Sequence, residues 1–264
     1  LSGLEHFRHL ESLNLANNFI QDLSPLKTLN RLRTLNLSNN GISDLESVQM
    51  DTLSHLKLVD LQLNAYEILT SEGRKNSLAD IALLAEFQEL EVLGLYGNRV
   101  SDLTALSNLA RLRELDLGEN QVQDISPLNK LVQLEALDLR WNSITDISSL
   151  SALENLAYLN LRANQIEDIS ALKDLNHLNY LNLHSNNNVH VLDALAGLSQ
   201  LQELIIENVP VGGQVEVLAN LTQLKRLNIA KCQVSDYAVL GTLMAAGALQ
   251  DDQEMGTEAT LSIR

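Results

Sequence analysis

Eight aspartates, Asp22, Asp44, Asp80, Asp102, Asp124, Asp146, Asp168 and Asp236, recur in a single register of this chain. A file of carboxylates suits either calcium or a turn. Calcium needs several oxygens converging on one point, and this register supplies one carboxylate per repeat. A lone carboxylate beside a turn accepts the backbone N–H groups left over there, so capping is the expected role. The six histidines, at positions 6, 9, 55, 177, 184 and 190, show no metal-ligand spacing beyond His6 and His9. No metal site is expected. No serine, cysteine or lysine stands in a recognisable activating neighbourhood, so no catalytic residue and no cofactor are expected either. Asp116 and Asp138 share a position in adjacent repeats, which places them about 4.8 Å apart along a ladder. Paired acids become catalytic only in a pocket that raises a pKa, and an open sheet desolvates little. The pair is read either as solvated, with Arg140 offsetting its charge, or as recognising a basic group on a partner.

These residues are positioned by a repeat. RLRTLNLSNNGISDLESV, RLRELDLGENQVQDISPL, QLEALDLRWNSITDISSL and NLAYLNLRANQIEDISAL share the pattern LxxLxLxxNxIxDIxxL, and Asn120, Asn142 and Asn164 stand 22 residues apart. The xLxLx segment alternates apolar and polar, the period of a short half-buried strand. Leu115 and Leu117 are expected inside, Glu114 and Asp116 outside. Too few residues remain in each unit for a helix on the far side, so short 3₁₀ turns are predicted there, and Pro25 and Pro127 suit their first positions. Asn18, Asn40, Asn98, Asn120, Asn142 and Asn164 form a ladder, because an amide both donates to and accepts from the buried backbone of a tight turn. Cys232 falls in the same register and is read as structural.

This repeat resembles the leucine-rich-repeat family from Leu4 to Leu243. Its 22-residue NxIxDIxxL form is similar to bacterial internalins and to the related phosphatase-regulator subclass. The resemblance implies an α/β class solenoid, a right-handed horseshoe with a parallel sheet on the concave face and 3₁₀ or irregular segments on the convex face, which commonly binds proteins. Residues 1–264 then form a single domain of about ten repeats. An insertion, NAYEILTSEGRK, occupies positions 64–75 at the rim, with Asn76 and Asp80 resuming the register. The eighth and ninth repeats each carry one extra residue, and the ninth has no clear ladder asparagine. Pro210, Gly212 and Gly213 read as a turn. Positions 244–264 form a degenerate repeat whose TLSIR aligns with the strand ALDLR. A start without methionine and an end short of a ladder position suggest a piece of a longer chain.

The outward strand positions of the central repeats collect a candidate contact patch: Tyr96, Asp116, Glu119, Asp138, Arg140, Trp141, Tyr158, Asn160, Arg162, Tyr180, Asn182 and His184. Aromatics beside arginine are the composition of an interface centre. Equivalent positions in repeats one, two and ten hold Asn14, Ala16, Asn36, Ser38, Asn228 and Ala230. A protein is the first choice of partner, since an open sheet offers area rather than a cavity. A glycan also suits rings beside amides and carboxylates. A net charge of -16 argues against nucleic acid, and no apolar run is long enough for membrane insertion. The reading is a non-enzymatic recognition module, secreted or at a cell surface. An intracellular scaffold, a glycan-binding module and the sensing segment of a larger enzyme are the alternatives.

Overall fold

A computed structural model describes residues 1–65, 76–249 and 260–262, in two compact units, Leu1–Leu134 and Glu135–Arg264. The first unit carries the parallel strands β1 (Ser12–Asn14), β2 (Thr34–Asn36), β3 (Asp60–Gln62), β4 (Val92–Gly94) and β5 (Glu114–Asp116), each paired with the next. The second carries β6 (Ala136–Asp138), β7 (Tyr158–Asn160), β8 (Tyr180–Asn182), β9 (Glu203–Ile205), β10 (Arg226–Asn228) and β11 (Thr260–Ser262), again parallel and in chain order. The last of these ladders pairs Thr260, Leu261 and Ser262 with Arg226, Leu227 and Asn228.

Each strand is only three residues long because one apolar side chain per strand suffices to key it into the core. Leu35, Leu61, Leu93 and Leu115 do this in the first unit, and Leu137, Leu159, Leu181, Leu204 and Leu227 in the second, all buried. A second leucine two residues on, such as Leu117 or Leu139, points the same way and is also buried. Burying one leucine contributes roughly 1.5–3 kcal/mol, which the repetition multiplies.

Opposite the strands the chain returns through 3₁₀ turns, among them Ser24–Thr28, Ser126–Lys130, Ser148–Ala152 and Ser170–Leu172, with Pro25 and Pro127 second in the first two. The aspartate file caps them. The Oδ1 atoms of Asp22, Asp44, Asp80, Asp102, Asp124, Asp146, Asp168 and Asp236 each accept the N–H of the residue two further on, at 2.7–2.9 Å. The extra residue of the eighth repeat puts Val191 where the aspartate would stand, and it is exposed. The tenth repeat departs from the 3₁₀ expectation. Its return segment, rich in Ala, Leu and Met, forms the helix α1 (Ala238–Ala245), which these strong helix formers favour once the segment is long enough.

The ladder is visible bond by bond. Asn164 donates through Nδ2 to the carbonyls of Leu139 (2.9 Å) and Leu161 (3.0 Å) and accepts the N–H of Ile144 (3.0 Å). Asn76 repeats this, accepting from Asn40 and Ile42 and donating to Leu37 and Leu63. Asn64 and Ala65, placed with the insertion on sequence grounds, are buried and still in step, Ala65 donating its N–H to the Tyr96 carbonyl. Residues 66–75 of the insertion and 250–259 of the degenerate repeat lie outside the described residues. Asn186 is the rung of the eighth repeat. Val209 takes the slot in the ninth, fully buried, and Cys232 in the tenth, its thiol donating to the carbonyl of Ile206 at 2.9 Å. Burial pushes that thiol pKa up, so the group is a rung rather than a nucleophile.

Outside the repeat that carries the insertion, the residue before the rung turns left-handed. Asn17, Asn39, Gly97 and Glu119 in the first unit, and Trp141, Ala163, Ser185, Asn208 and Lys231 in the second, have φ between 52° and 74°. The turn aims the N–H of Asn17, Asn39, Gly97, Trp141, Ala163, Ser185 and Asn208 at the next repeat, as from Trp141 to the carbonyl of Arg162 at 2.8 Å. Glycine and asparagine tolerate this conformation; the other side chains that adopt it, Glu119, Trp141 and Lys231 among them, are strained.

Candidate functional site

The sheet of the second unit presents four columns on its outward face, one residue from each repeat. The first runs Ala136, Tyr158, Tyr180, Glu203, Arg226, following the strand register. The second runs Asp138, Asn160, Asn182, Ile205, Asn228 in the same register. Beyond the strand ends come Arg140, Arg162, His184, Glu207, Ala230 and then the left-handed column that begins at Trp141.

The second column accounts for the Asn or Asp that recurs at this outward position of the repeat. The Oδ1 atoms of Asp138, Asn160, Asn182 and Asn228 accept the N–H two residues further on, at 2.9–3.2 Å. Asn14, Asn36 and Asp116 do the same in the first unit. These side chains close the strand-to-turn corner, which is why Asn or Asp recurs there. They are also covered. Asp138, Asn160 and Asn182 are only 7%, 4% and 6% exposed, although all three lie on the outward side of the sheet.

What covers them are the rings and guanidinium groups on either side. Tyr158 and Tyr180 stack face to face, their centroids 4.4 Å apart and their planes within 11°. Their hydroxyls meet the amides of Asn160 (3.5 Å) and Asn182 (3.3 Å), one side-chain position further along the same face. Burial, and then the Asp138 carboxylate, push the Tyr158 phenol up to about 12. Asp138 is fully engaged. Beyond its corner bond, its Oδ2 accepts from the Arg140 guanidinium, in an ion pair, and from the Asn160 amide at 3.2 Å. The basic group that faces Asp138 within the chain is Arg140. Asp116, in the first unit, accepts the Gly118 N–H.

Trp141 stands beside this layer, 40% exposed, with the guanidinium carbons of Arg162 and Arg140 5.0 and 6.0 Å from its ring centre. Cation–π attraction at such range is worth about 0.5–1 kcal/mol at exposed sites. His184 faces Glu207, Nδ1 to Oε2 at 3.4 Å, and Lys231 holds the other oxygen of Glu207 at 2.9 Å. Burial, then the nearby Arg162, lower the His184 pKa against the opposing pull of Glu207. The Lys231 bond keeps Glu207 below the ordinary carboxylate range. Glu207 and Lys231 were missed in the sequence. The signal available was charge alternation down the columns, hidden by the extra residue in each of the eighth and ninth repeats.

The remaining candidates, Tyr96, Asp116 and Glu119, belong to the first unit and are half-buried there. Their surroundings differ in kind. Above Gly94, where a Cβ would lie 2.1 Å from Gln62 Oε1, the side chains of Asp60, Gln62 and Asn64 form a hydrogen-bonded relay that ends on the Tyr96 N–H. Among the described residues no group of three or more His, Cys, Asp or Glu could hold a metal ion, and no helix is long and apolar enough to cross a membrane. His55 and His177 instead meet the carbonyls of Lys27 and Glu154 on neighbouring return turns, both at 2.8 Å.

Strand ladder, asparagine rungs and 3₁₀ returns together define a leucine-rich-repeat protein, and the family model for paired leucine-rich repeats matches residues 8–70, 110–152 and 132–174. Its repeats are internalin-like. The chain is similar to the internalin InlF of Listeria monocytogenes, with 27% identity and a TM-score of 0.63 over 99% of this chain and 83% of that one. It is similar also to the internalin InlC2 of the same organism, at 28% identity and a TM-score of 0.66 over 91% and 98% of the two chains. A leucine-rich-repeat protein of Leptospira interrogans, 22% identical, shares the fold with a TM-score of 0.72 over 92% of this chain and 67% of that one. No curated protein sequence is a significant match.

Proposed function

We propose that this chain is a non-enzymatic protein-recognition module whose contact surface in the second unit is the outward sheet face from β6 to β8, centred on Trp141, Tyr158, Arg162 and Tyr180. The observation that carries the reading is Trp141 itself. A large aromatic is held half in solvent, in a left-handed conformation that an asparagine, as at the equivalent Asn208, adopts more cheaply, and beneath two guanidinium groups. The cation–π contacts of Trp141 do no more than offset the strain of its backbone, whereas a flat ring with low conformational entropy is what binding centres use. Asp138, Asn160 and Asn182 support the face from below, while Arg140 and His184 border it.

The internalin-like repeat favours a protein partner, and a bacterial origin with a secreted or surface location belongs to the same proposal. The test is capture by the wild type against the double variant Trp141→Ala with Arg162→Glu, each first checked for an unchanged melting curve. Proteins held by the first and lost by the second support the face. If the double variant retains every captured protein, the surface lies elsewhere.

A further inference from the structure

The column Arg140, Arg162, His184, Glu207 contains one cation with no counter-charge. Arg140 is neutralised by Asp138, two residues before it. At the same step before Arg162 the repeat has Asn160, an amide, so the internal partner is missing by a single change of residue type. His184 and Lys231 share Glu207, and Arg226 has Glu203 at 3.3 Å. Among the described residues no carboxylate pairs with the Arg162 guanidinium, and its Nε is buried without a hydrogen-bond acceptor. Its interaction in reach is with the face of Trp141. In a chain carrying a net charge of -16, acidic side chains are not scarce. That none is placed here is the informative part.

We infer that Arg162 is the docking point for a carboxylate side chain of the protein partner, which the guanidinium takes as a fork while Trp141 and the Tyr158–Tyr180 stack hold the flanking apolar groups. This deepens the proposed function and rests on it. The planar guanidinium matches a carboxylate with two parallel N–H bonds and stays charged at any physiological pH. Lying on the indole, it is already partly stripped of water and held in orientation, so little freedom is lost when an acid arrives. Its column neighbours do not compete: Arg140 is already paired, and His184 is biased towards its neutral form by burial and by Arg162 itself. The surrounding rings favour a peptide segment, since a flat aromatic floor packs the side chains on either side of the acid.

The experiment uses random peptides displayed on phage, selected on the wild-type chain, with the intrinsic fluorescence of Trp141, the sole tryptophan, as the reporter of arrival at the site. Enriched peptides are expected to carry Asp or Glu beside an apolar or aromatic residue and to change the Trp141 emission. Arg162→Gln is expected to weaken them about tenfold, the loss of one charge-assisted contact. Replacing the peptide's acid by its amide is expected to do the same without touching the protein, which covers the case of a poorly folded variant. Arg162→Lys should recover only part of the affinity. Selection that returns no acidic peptide, or acidic peptides that bind Arg162→Gln as well as wild type, overturns the inference. Peptides that are lost on Tyr180→Ala but indifferent to Arg162 would leave the contact face standing and remove only the carboxylate. Peptides indifferent to both changes would remove the face as well.

Discussion

Tyr158 and Tyr180 occupy equivalent positions on β7 and β8 and lie ring on ring, 4.4 Å apart. The parallel ladder brings identical positions within one strand spacing, so two tyrosines in the same column have to stack or splay. Here they stack, and each lends its hydroxyl to the asparagine two residues on. The floor of the candidate contact face is therefore built by the same register that builds the core.

That floor has a titration signature. The Tyr158 phenol is raised from 10.0 to about 12, chiefly by burial, so its neutral form is the one the fold favours. Its contribution to stability is complete below the unfolded value and is lost as pH rises from 10.0 through about 12. Spectrophotometric titration should show a tyrosinate component near 12 that Tyr158→Phe deletes. A wild-type curve that Tyr158→Phe leaves unchanged in that range contradicts the packing described.

Trp141→Gly separates folding from binding. Glycine adopts the left-handed conformation without cost, while the cation–π contacts are lost and the unfolded chain gains conformational entropy, so the two sides nearly cancel. Stability by urea denaturation is expected to stay within about 1 kcal/mol of wild type, with binding through the face abolished. A loss of several kcal/mol would make Trp141 a structural residue.

Asn164→Ala should act in the opposite sense. It strands the N–H of Ile144 inside the stack and takes one of two amide donors from each of the Leu139 and Leu161 carbonyls, which keep Asn142 and Asn186. A buried N–H left without a partner costs roughly 1–3 kcal/mol, so a fall of that order is expected in chemical denaturation. The neighbouring exposed Gln165→Ala is the control and should change little.

The turn caps predict an acid dependence. Hydrogen bonds from the Thr104 hydroxyl and then its N–H depress the folded pKa of Asp102, and Ser24 and Ser148 do likewise for Asp22 and Asp146. A depressed carboxylate stabilises the fold above its unfolded value, near 3.8, and the contribution disappears as pH falls through the lower folded value. Replacing all three by Asn keeps an acceptor in each turn but removes the titration. Urea midpoints of the triple variant should therefore fall less steeply on acidification than those of wild type. Equal slopes would mean that the caps do not depend on charge.

Much of this architecture was legible before any coordinate. Leucine period, rung asparagines and capping aspartates are each imposed by local backbone needs that recur every 22 residues, so they must appear in the sequence wherever the coil is to close. Even Cys232 could be assigned its slot by register alone. Other properties were not local and could not be read off. Asp138, Asn160 and Asn182 alternate outward as the strand period requires, yet they are covered, because exposure on an outward face depends on which rings and guanidinium groups lean across it from two residues away and from the next strand. The link of Glu207 to His184 and Lys231 joins three repeats across one-residue shifts in spacing. The bare charge of Arg162 is visible only by elimination, once the tertiary structure has assigned every carboxylate around it to another partner. Repetition writes the backbone's demands into the sequence; the pairing of side chains between coils is settled only in space, where the neighbours of each charge are chosen by stacking rather than by order along the chain.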